Sequence, residues 1–142
     1  MSTQRLIWKD GFRFTGVDSW GNVVGLDADE DSGTGAKPAD LLPISLAACT
    51  AYDIVNILRK QRQDLRALEA EIHSVQEPEA PWTFTKIEIR YVARGDVDVT
   101  KARKALDLSE HKYCSVAATL SPVVEIVTSI DVEPEDESSP AR

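Results

Sequence analysis

Cysteine is scarce in this sequence, with two in 142 residues, and so are histidine, also two, and aromatic residues, at 6%. No Cys-x-x-Cys pair occurs. The separation of Cys49, His73, His111 and Cys114 fits no zinc template, so no metal centre built on thiolate and imidazole is expected. Two cysteines are also too few for the disulfide framework of a small secreted scaffold. No apolar run approaches the roughly 18–20 residues that a membrane span needs, and residues 1–10 lack the charged head and apolar stretch of a signal peptide. The phosphate-cradling patterns GxxxxGK[ST] and GxGxxG are missing. There is no basic block either: 16 Lys+Arg face 24 Asp+Glu, for a net charge of −8. Residues 131–142 hold −4 of it, and the body of the chain carries the other −4. An acidic body has no electrostatic footprint for nucleic acid or anionic lipid. A cytoplasmic, soluble protein with neither nucleic-acid nor membrane partners is the expectation.

What is present suits one domain over residues 1–132, since 42% of residues are hydrophobic, enough for a core at this length. The first third reads as short strands at 5–9, 12–17 and 22–27, separated by Asp10-Gly11 and by Ser19, Gly21 and Asn22, the punctuation of an antiparallel meander. Residues 30–37 (EDSGTGAK) read as a polar, mobile loop. Pro38 then opens the longest apolar segment, a helix over 38–63 with almost no polar face in its first turns and a basic end that complements its dipole. Pro43 falls in the first turn or two, where it kinks the start. A helix apolar nearly all round belongs in a core, of a dimer as much as of a monomer.

Strands follow at 68–75 and 84–93 with a turn at 77–82 between them. The second alternates Thr85, Ile87, Ile89 and Tyr91 with Phe84, Lys86, Glu88 and Arg90. Val99–Leu108 reads as an amphipathic helix with Val99, Ala102, Ala105 and Leu106 on one face. Residues 113–120 are short, small and apolar up to Pro122, and 123–132 make a last strand. Residues 133–142 are acidic and proline-broken, a disordered tail dispensable for chemistry. The class is α+β.

The cysteines admit two readings on their own chemistry: small buried hydrophobes, or a redox pair. Cys49 sits in PADLLPISLAACTAYDIVNILRKQR and Cys114 in HKYCSVAATL. Both segments, in this order and at this separation, resemble the OsmC/Ohr family over residues 12–132, and the TAYDIVNILRKQR continuation is most similar to its OsmC-like branch. The resemblance implies antiparallel sheets wrapped around a long central helix in an intertwined homodimer, with sites between chains. It implies a thiol-dependent peroxidase that reduces organic hydroperoxides to alcohols. Cys49 is then the peroxidatic thiolate and Cys114 the resolving thiol, a dithiol or thiol reductant regenerates the pair, and no metal or flavin takes part.

A thiolate at Cys49 needs a cation, because it lies too far along the helix for the N-terminal dipole and an apolar setting raises a thiol's pKa. The family takes an arginine from its N-terminal region, for which Arg13 is the candidate here; Arg13 is equally an ordinary exposed strand residue. Peroxidase members place a glutamate ten residues before the reactive cysteine to orient that arginine, where this chain has Ala39. Asp40 follows, but one residue along a helix is a rotation of about 100°. Asp40 reads as a supporting residue or as a first-turn dipole partner. Ser45, Cys49 and Asp53 share a helical face, a polar lining or a seam. Tyr113 reads as core packing or a pocket cap, His111 as an exposed loop histidine or a proton carrier, and Trp8, Trp20 and Trp82 as core or dimer contacts. The alternative function is a non-catalytic family member that binds a hydrophobic small molecule or senses redox state, or a structural dimer with inert thiols.

Overall fold

The computed structural model describes residues 1–135 and divides into two compact units, Met1–Leu42 and Pro43–Arg142, the second described as far as Glu135. In the first unit β1 (Arg5–Asp10), β2 (Arg13–Val17) and β3 (Val23–Asp27) form an antiparallel sheet in that order, with Trp8 opposite Phe14 and Arg13 opposite Asp27. Gly11, at φ 47°, supplies the left-handed backbone that closes the first turn. Asp18 closes the second by accepting the Trp20 and Asn22 N–H groups at 2.9 and 2.8 Å. The sheet keeps its large apolar side chains outside: Leu6, Trp8, Phe12, Trp20 and Val23 are all exposed. Trp82, in the second unit, is exposed too, so the three tryptophans are not core residues of the protomer.

The loop expected at residues 30–37 forms, within the connection 28–36, and is tethered to Asp27. The buried Asp27 carboxylate accepts the Asp29 N–H at 2.8 Å, the Thr34 hydroxyl at 2.5 Å and the Ser32 hydroxyl. These bonds hold its pKa below the usual 3.8, the Ser32 hydroxyl contributing most. Gly35 lies against β3 so closely that an added Cβ would come within 2.8 Å of the Leu26 carbonyl carbon. Composition reads such a stretch as loose; one buried acceptor gathers it.

A single 3-10 turn over Pro38–Asp40 leads into α1 (Leu41–Lys60). Pro43 costs nothing in that first helical turn, where its N–H would have no intrahelical partner. Pro38–Lys60, 23 residues with a mean hydropathy of 1.6, is long and apolar enough to cross a membrane by length and composition. This corrects the expectation that no run approaches a span: Ser45, Thr50 and Asp53 interrupt the stretch without offsetting its leucines and isoleucines. In the protein α1 sends Leu46, Ala47, Thr50, Ile54 and Leu58 into the core, while Ile44 and Tyr52 on its other side stay exposed.

The second unit's sheet has the order β4-β5-β6, and α1 shares its core with the central strand. β4 (Asp64–Gln76) and β5 (Phe84–Asp96) pair antiparallel, and Ile87, Ile89, Tyr91 and Ala93 of β5 are buried. Burial of each large side chain there contributes about 1.5–3 kcal/mol. β6 (Glu125–Glu133) departs from the antiparallel expectation and runs parallel to β5, Lys86 opposite Glu125 through Arg94 opposite Glu133. The reason lies in the connection, since residues 97–124 carry two helices, the kind of long crossover a parallel pair needs. β6 includes Glu133, the first residue of the segment read as a tail; residues 136–142 lie outside the described residues.

That crossover builds the site. Asp98 caps α2 (Val99–Leu108) by accepting the Lys101 N–H at 2.9 Å. Ala102, Ala105 and Leu106 are buried as the pattern predicts, whereas Val99, the first residue of the helix, is 41% exposed. A π-helical turn, Ser109–Tyr113, then carries the chain to Cys114, the N-cap of α3 (Ser115–Leu120).

Candidate functional site

Cys49 lies midway along α1 and is half-buried, whereas Cys114 is buried. The Cys114 Sγ accepts the Ala117 N–H at 3.3 Å, taking the place a serine or aspartate oxygen usually has at a helix start. The Cys49 sulfur is near enough to act on the Cys114 thiol, and neither forms a disulfide. Burial pushes the Cys114 thiol above the ordinary 9.0, and Cys49 acts the same way. The Ala117 N–H and the Thr50 hydroxyl oppose that rise. The structure thus brings together the two cysteines that the sequence singles out.

Two residues that the sequence reading passed over complete this cluster. Thr50 is 2% exposed and Tyr91 is 1% exposed. The Tyr91 phenol donates to the Ala47 carbonyl at 2.9 Å, and Thr50 lies on the same stretch of α1, near the phenol. Burial raises the Tyr91 pKa well beyond its ordinary 10.0, so the phenol stays protonated. A signal for both existed: Thr50 falls on the Leu46–Ile54 line of α1, where an apolar residue is expected, and Tyr91 shares the buried face of β5 with Ile87 and Ile89.

A third missed residue, Ser109, is fully buried and donates to Asp53 Oδ2 at 2.6 Å. The bond ties the π-helical turn before Cys114 to α1 one turn beyond Cys49. Of the Ser45, Cys49, Asp53 face, Asp53 therefore holds the crossover in place, while Ser45 is exposed. Beside it a cavity of about 390 Å³ is lined by Asp53, Asn56, Ile57, Lys60, Leu108 and Tyr113, among others. Tyr113 is 54% exposed at this cavity, with the Lys112 ammonium 5.3 Å from its ring centroid. That corrects the reading of Tyr113 as core.

The remaining candidates belong to other elements. Arg13 belongs to the first unit, half-exposed on β2, with its guanidinium 3.4 Å from Asp10 and its charge also lowering the Asp27 pKa. Asp40, in the 3-10 turn with Ala39, is exposed and lies 3.8 Å from the Lys37 ammonium. His111 is exposed against Asp107 at 3.1 Å, with its pKa raised chiefly by a hydrogen bond to the Asp107 backbone. Among the described residues no group of three or more His, Cys, Asp or Glu is placed to hold a metal ion.

The family profile described as OsmC-like protein matches residues 30–129, a stretch that contains both cysteines. The chain belongs to the OsmC-like family. It is 35% identical over 130 residues to Protein YhfA of Escherichia coli K12, covering 90% of this chain and 96% of that protein. A crystal structure of a protein from Aquifex aeolicus VF5 superposes with a TM-score of 0.85 at 28% identity, over 96% of this chain and 98% of that one. The organic hydroperoxide resistance protein OsmC of Legionella pneumophila gives 0.66 at 15% identity, over 93% and 97%, a likeness of fold. The α+β architecture of two sheets and a long helix is therefore that of the OsmC/Ohr proteins.

Proposed function

We propose that this OsmC-like protein is a thiol peroxidase that reduces organic hydroperoxides. The Cys49 thiolate attacks the distal peroxide oxygen, the O–O bond breaks, and the alkoxide leaves to become the alcohol. Cys49 is now a sulfenic acid, and the Cys114 thiol condenses with it to a disulfide with loss of water. A dithiol or thiol reductant returns both sulfurs to thiols by exchange. The observation that carries this reading is that two unlinked cysteines on separate elements, one half-buried and one buried, lie near enough for Cys49 to act on the Cys114 thiol. Burial of the resolving thiol keeps it protonated, and so unreactive, until Cys49 has been oxidised.

Arg13 is the proposed cation for the thiolate and for the departing alkoxide. With Ala39 in the place of the family's glutamate, Asp10 is the acid that holds its guanidinium. The exposed large apolar side chains of β1–β3, and those of α1, support a homodimer, since exposed apolar side chains in such number suit a protein contact. Sedimentation equilibrium should give twice the 15.6 kDa of the chain; a monomer at micromolar concentration contradicts the dimer. The free thiols suit a reducing compartment, the cytoplasm. The peroxidase reading is tested by dithiol-supported consumption of cumene hydroperoxide. Turnover should be abolished in Cys49→Ser and reduced in Arg13→Ala, and turnover in Cys49→Ser equal to the wild type overturns the reading. If Cys49 proves inert to peroxide, the cavity lined by Ile57, Leu108 and Tyr113 is where an apolar ligand is to be sought.

A further inference from the structure

The cavity of about 390 Å³ beside Asp53 carries charges of both signs, and the proposed reaction makes no use of them. Its volume lies in the lower part of the range of small-molecule sites, roughly 300–1,000 Å³. Asp53 and Lys60 both belong to α1 and both line the cavity. Their spacing falls about 20° short of two full helical turns, so they share one face about 10 Å apart along the axis. Asn56 and Ile57 line the cavity between them, and Gln61 follows Lys60.

Neither charge is met within the chain. Among the described residues, no ion pair includes Asp53 or Lys60. The half-buried Asp53 carboxylate accepts the Ser109 hydroxyl on Oδ2 at 2.6 Å. That donor is neutral, and a carboxylate has about four acceptor positions, so room for a cation remains. A half-buried charge without a counter-charge is costly, and a cation arriving there relieves the cost. The Asn56 and Gln61 carboxamides each offer donors and an acceptor, the combination that a peptide group needs. Ile57 and Leu108 suit an apolar side chain.

We propose that this cavity binds a short zwitterionic peptide, with its ammonium on the Asp53 carboxylate and its carboxylate on the Lys60 ammonium. An extended chain spans at most about 3.3–3.6 Å per residue, so about three residues bridge the two charges. The substrate role of that peptide rests on the peroxidase reading: its N-terminal side chain carries the hydroperoxide that Cys49 reduces. Asp53 lies one turn, about 6 Å, along α1 from Cys49 on the same face, and Tyr113 of the cavity wall immediately precedes Cys114. The ammonium end is therefore the end nearer the reacting sulfur. The Cys49 thiolate takes the distal oxygen as the O–O bond breaks. The side-chain alkoxide takes a proton from water to become an alcohol, and Cys49 is left as the sulfenic acid.

The site is tested without peroxide, by calorimetry of the reduced protein with leucyl-alanyl-alanine. N-acetylation and C-amidation of the peptide should each weaken binding about tenfold, the worth of a hydrogen bond to a charged group. In Lys60→Gln the free and amidated peptides should bind alike. In Asp53→Asn, which keeps an acceptor for Ser109, the free and acetylated peptides should bind alike. Absence of binding by the free peptide, equal binding of the doubly capped peptide, or a capping penalty that persists in Lys60→Gln overturns the site. The substrate role is tested with the leucine γ-hydroperoxide of the same peptide. Its kcat/KM should exceed that of its doubly capped form at least about tenfold, by the same two contacts. Equal values overturn the substrate role. Failure to consume either this hydroperoxide or cumene hydroperoxide overturns the peroxidase reading instead, and the calorimetry still decides the site.

Discussion

Two thiols become a candidate site here through the residues that the crossover delivers to them. Cys114 reaches Cys49 because Ser109, five residues earlier, is pinned to Asp53 by a 2.6 Å bond. A fully buried hydroxyl donating to a carboxylate is worth about 1.5–3 kcal/mol net. Ser109→Ala should lower the unfolding free energy by that amount, read as a shift in urea midpoint at unchanged m-value. It should also slow Cys49–Cys114 closure, because the π-helical turn loses its tether. A midpoint equal to the wild type would mean that packing alone places Cys114. The cysteines, Tyr113 and Asp53 are visible in the sequence as unusual residues in apolar settings, and the motifs around both cysteines carry the family. Thr50 and Tyr91 were not legible as site residues, because on the page each occupies a core position in a periodic pattern. Only tertiary structure brings the Tyr91 phenol to the Ala47 carbonyl of α1 and buries it with Thr50 and Cys114.

Secondary elements were legible in proportion to how far their own sequence decides them. Val99–Leu108 has a capping aspartate and an apolar stripe, and the helix forms with those bounds. The Arg5–Asp10 and Arg13–Val17 strands follow from the Asp10-Gly11 turn between them. The apolar pattern marks β4 only over 68–75, because its ends Asp64 and Gln76 are polar, and pairing to β5 is what extends it. The parallel course of β6 could not be read at all from its own residues. Strand direction is set by the length and helical content of the connection, and residues 113–120 did not declare themselves a helix. The loop at residues 30–37 was legible, but its internal order was not, for a related reason. Glycine and acidic residues signal a loop, but the three bonds to Asp27 that order it depend on the tertiary path.

At the scale of the whole molecule, the buried cluster links chemistry to stability. Cys114 and Tyr91 both hold their protons more tightly in the folded protein than their ordinary values of 9.0 and 10.0. The unfolded chain therefore releases these protons first as pH rises. It then binds fewer protons than the folded state, so the unfolding free energy falls with increasing pH. Stability from this source is complete below about pH 8 and is lost progressively above pH 9, Cys114 first and Tyr91 after it. Thermal midpoints at pH 7, 9 and 10.5 should fall in that order. Cys114→Ser should remove the earlier part of the decline and Tyr91→Phe the later part; a flat profile in the wild type contradicts the burial of both groups.

The central claim is that Cys49 and Cys114 form one redox unit, and a single-turnover experiment tests it most directly. The reduced protein is mixed anaerobically with one equivalent of cumene hydroperoxide, quenched, and examined by intact mass and peptide mapping, alongside Cys49→Ser and Cys114→Ser. The account predicts loss of two thiols with a Cys49–Cys114 link in the wild type. It predicts a trapped sulfenic acid on Cys49 in Cys114→Ser, and no reaction in Cys49→Ser. Oxidation of the wild type no faster than that of Cys49→Ser would contradict it.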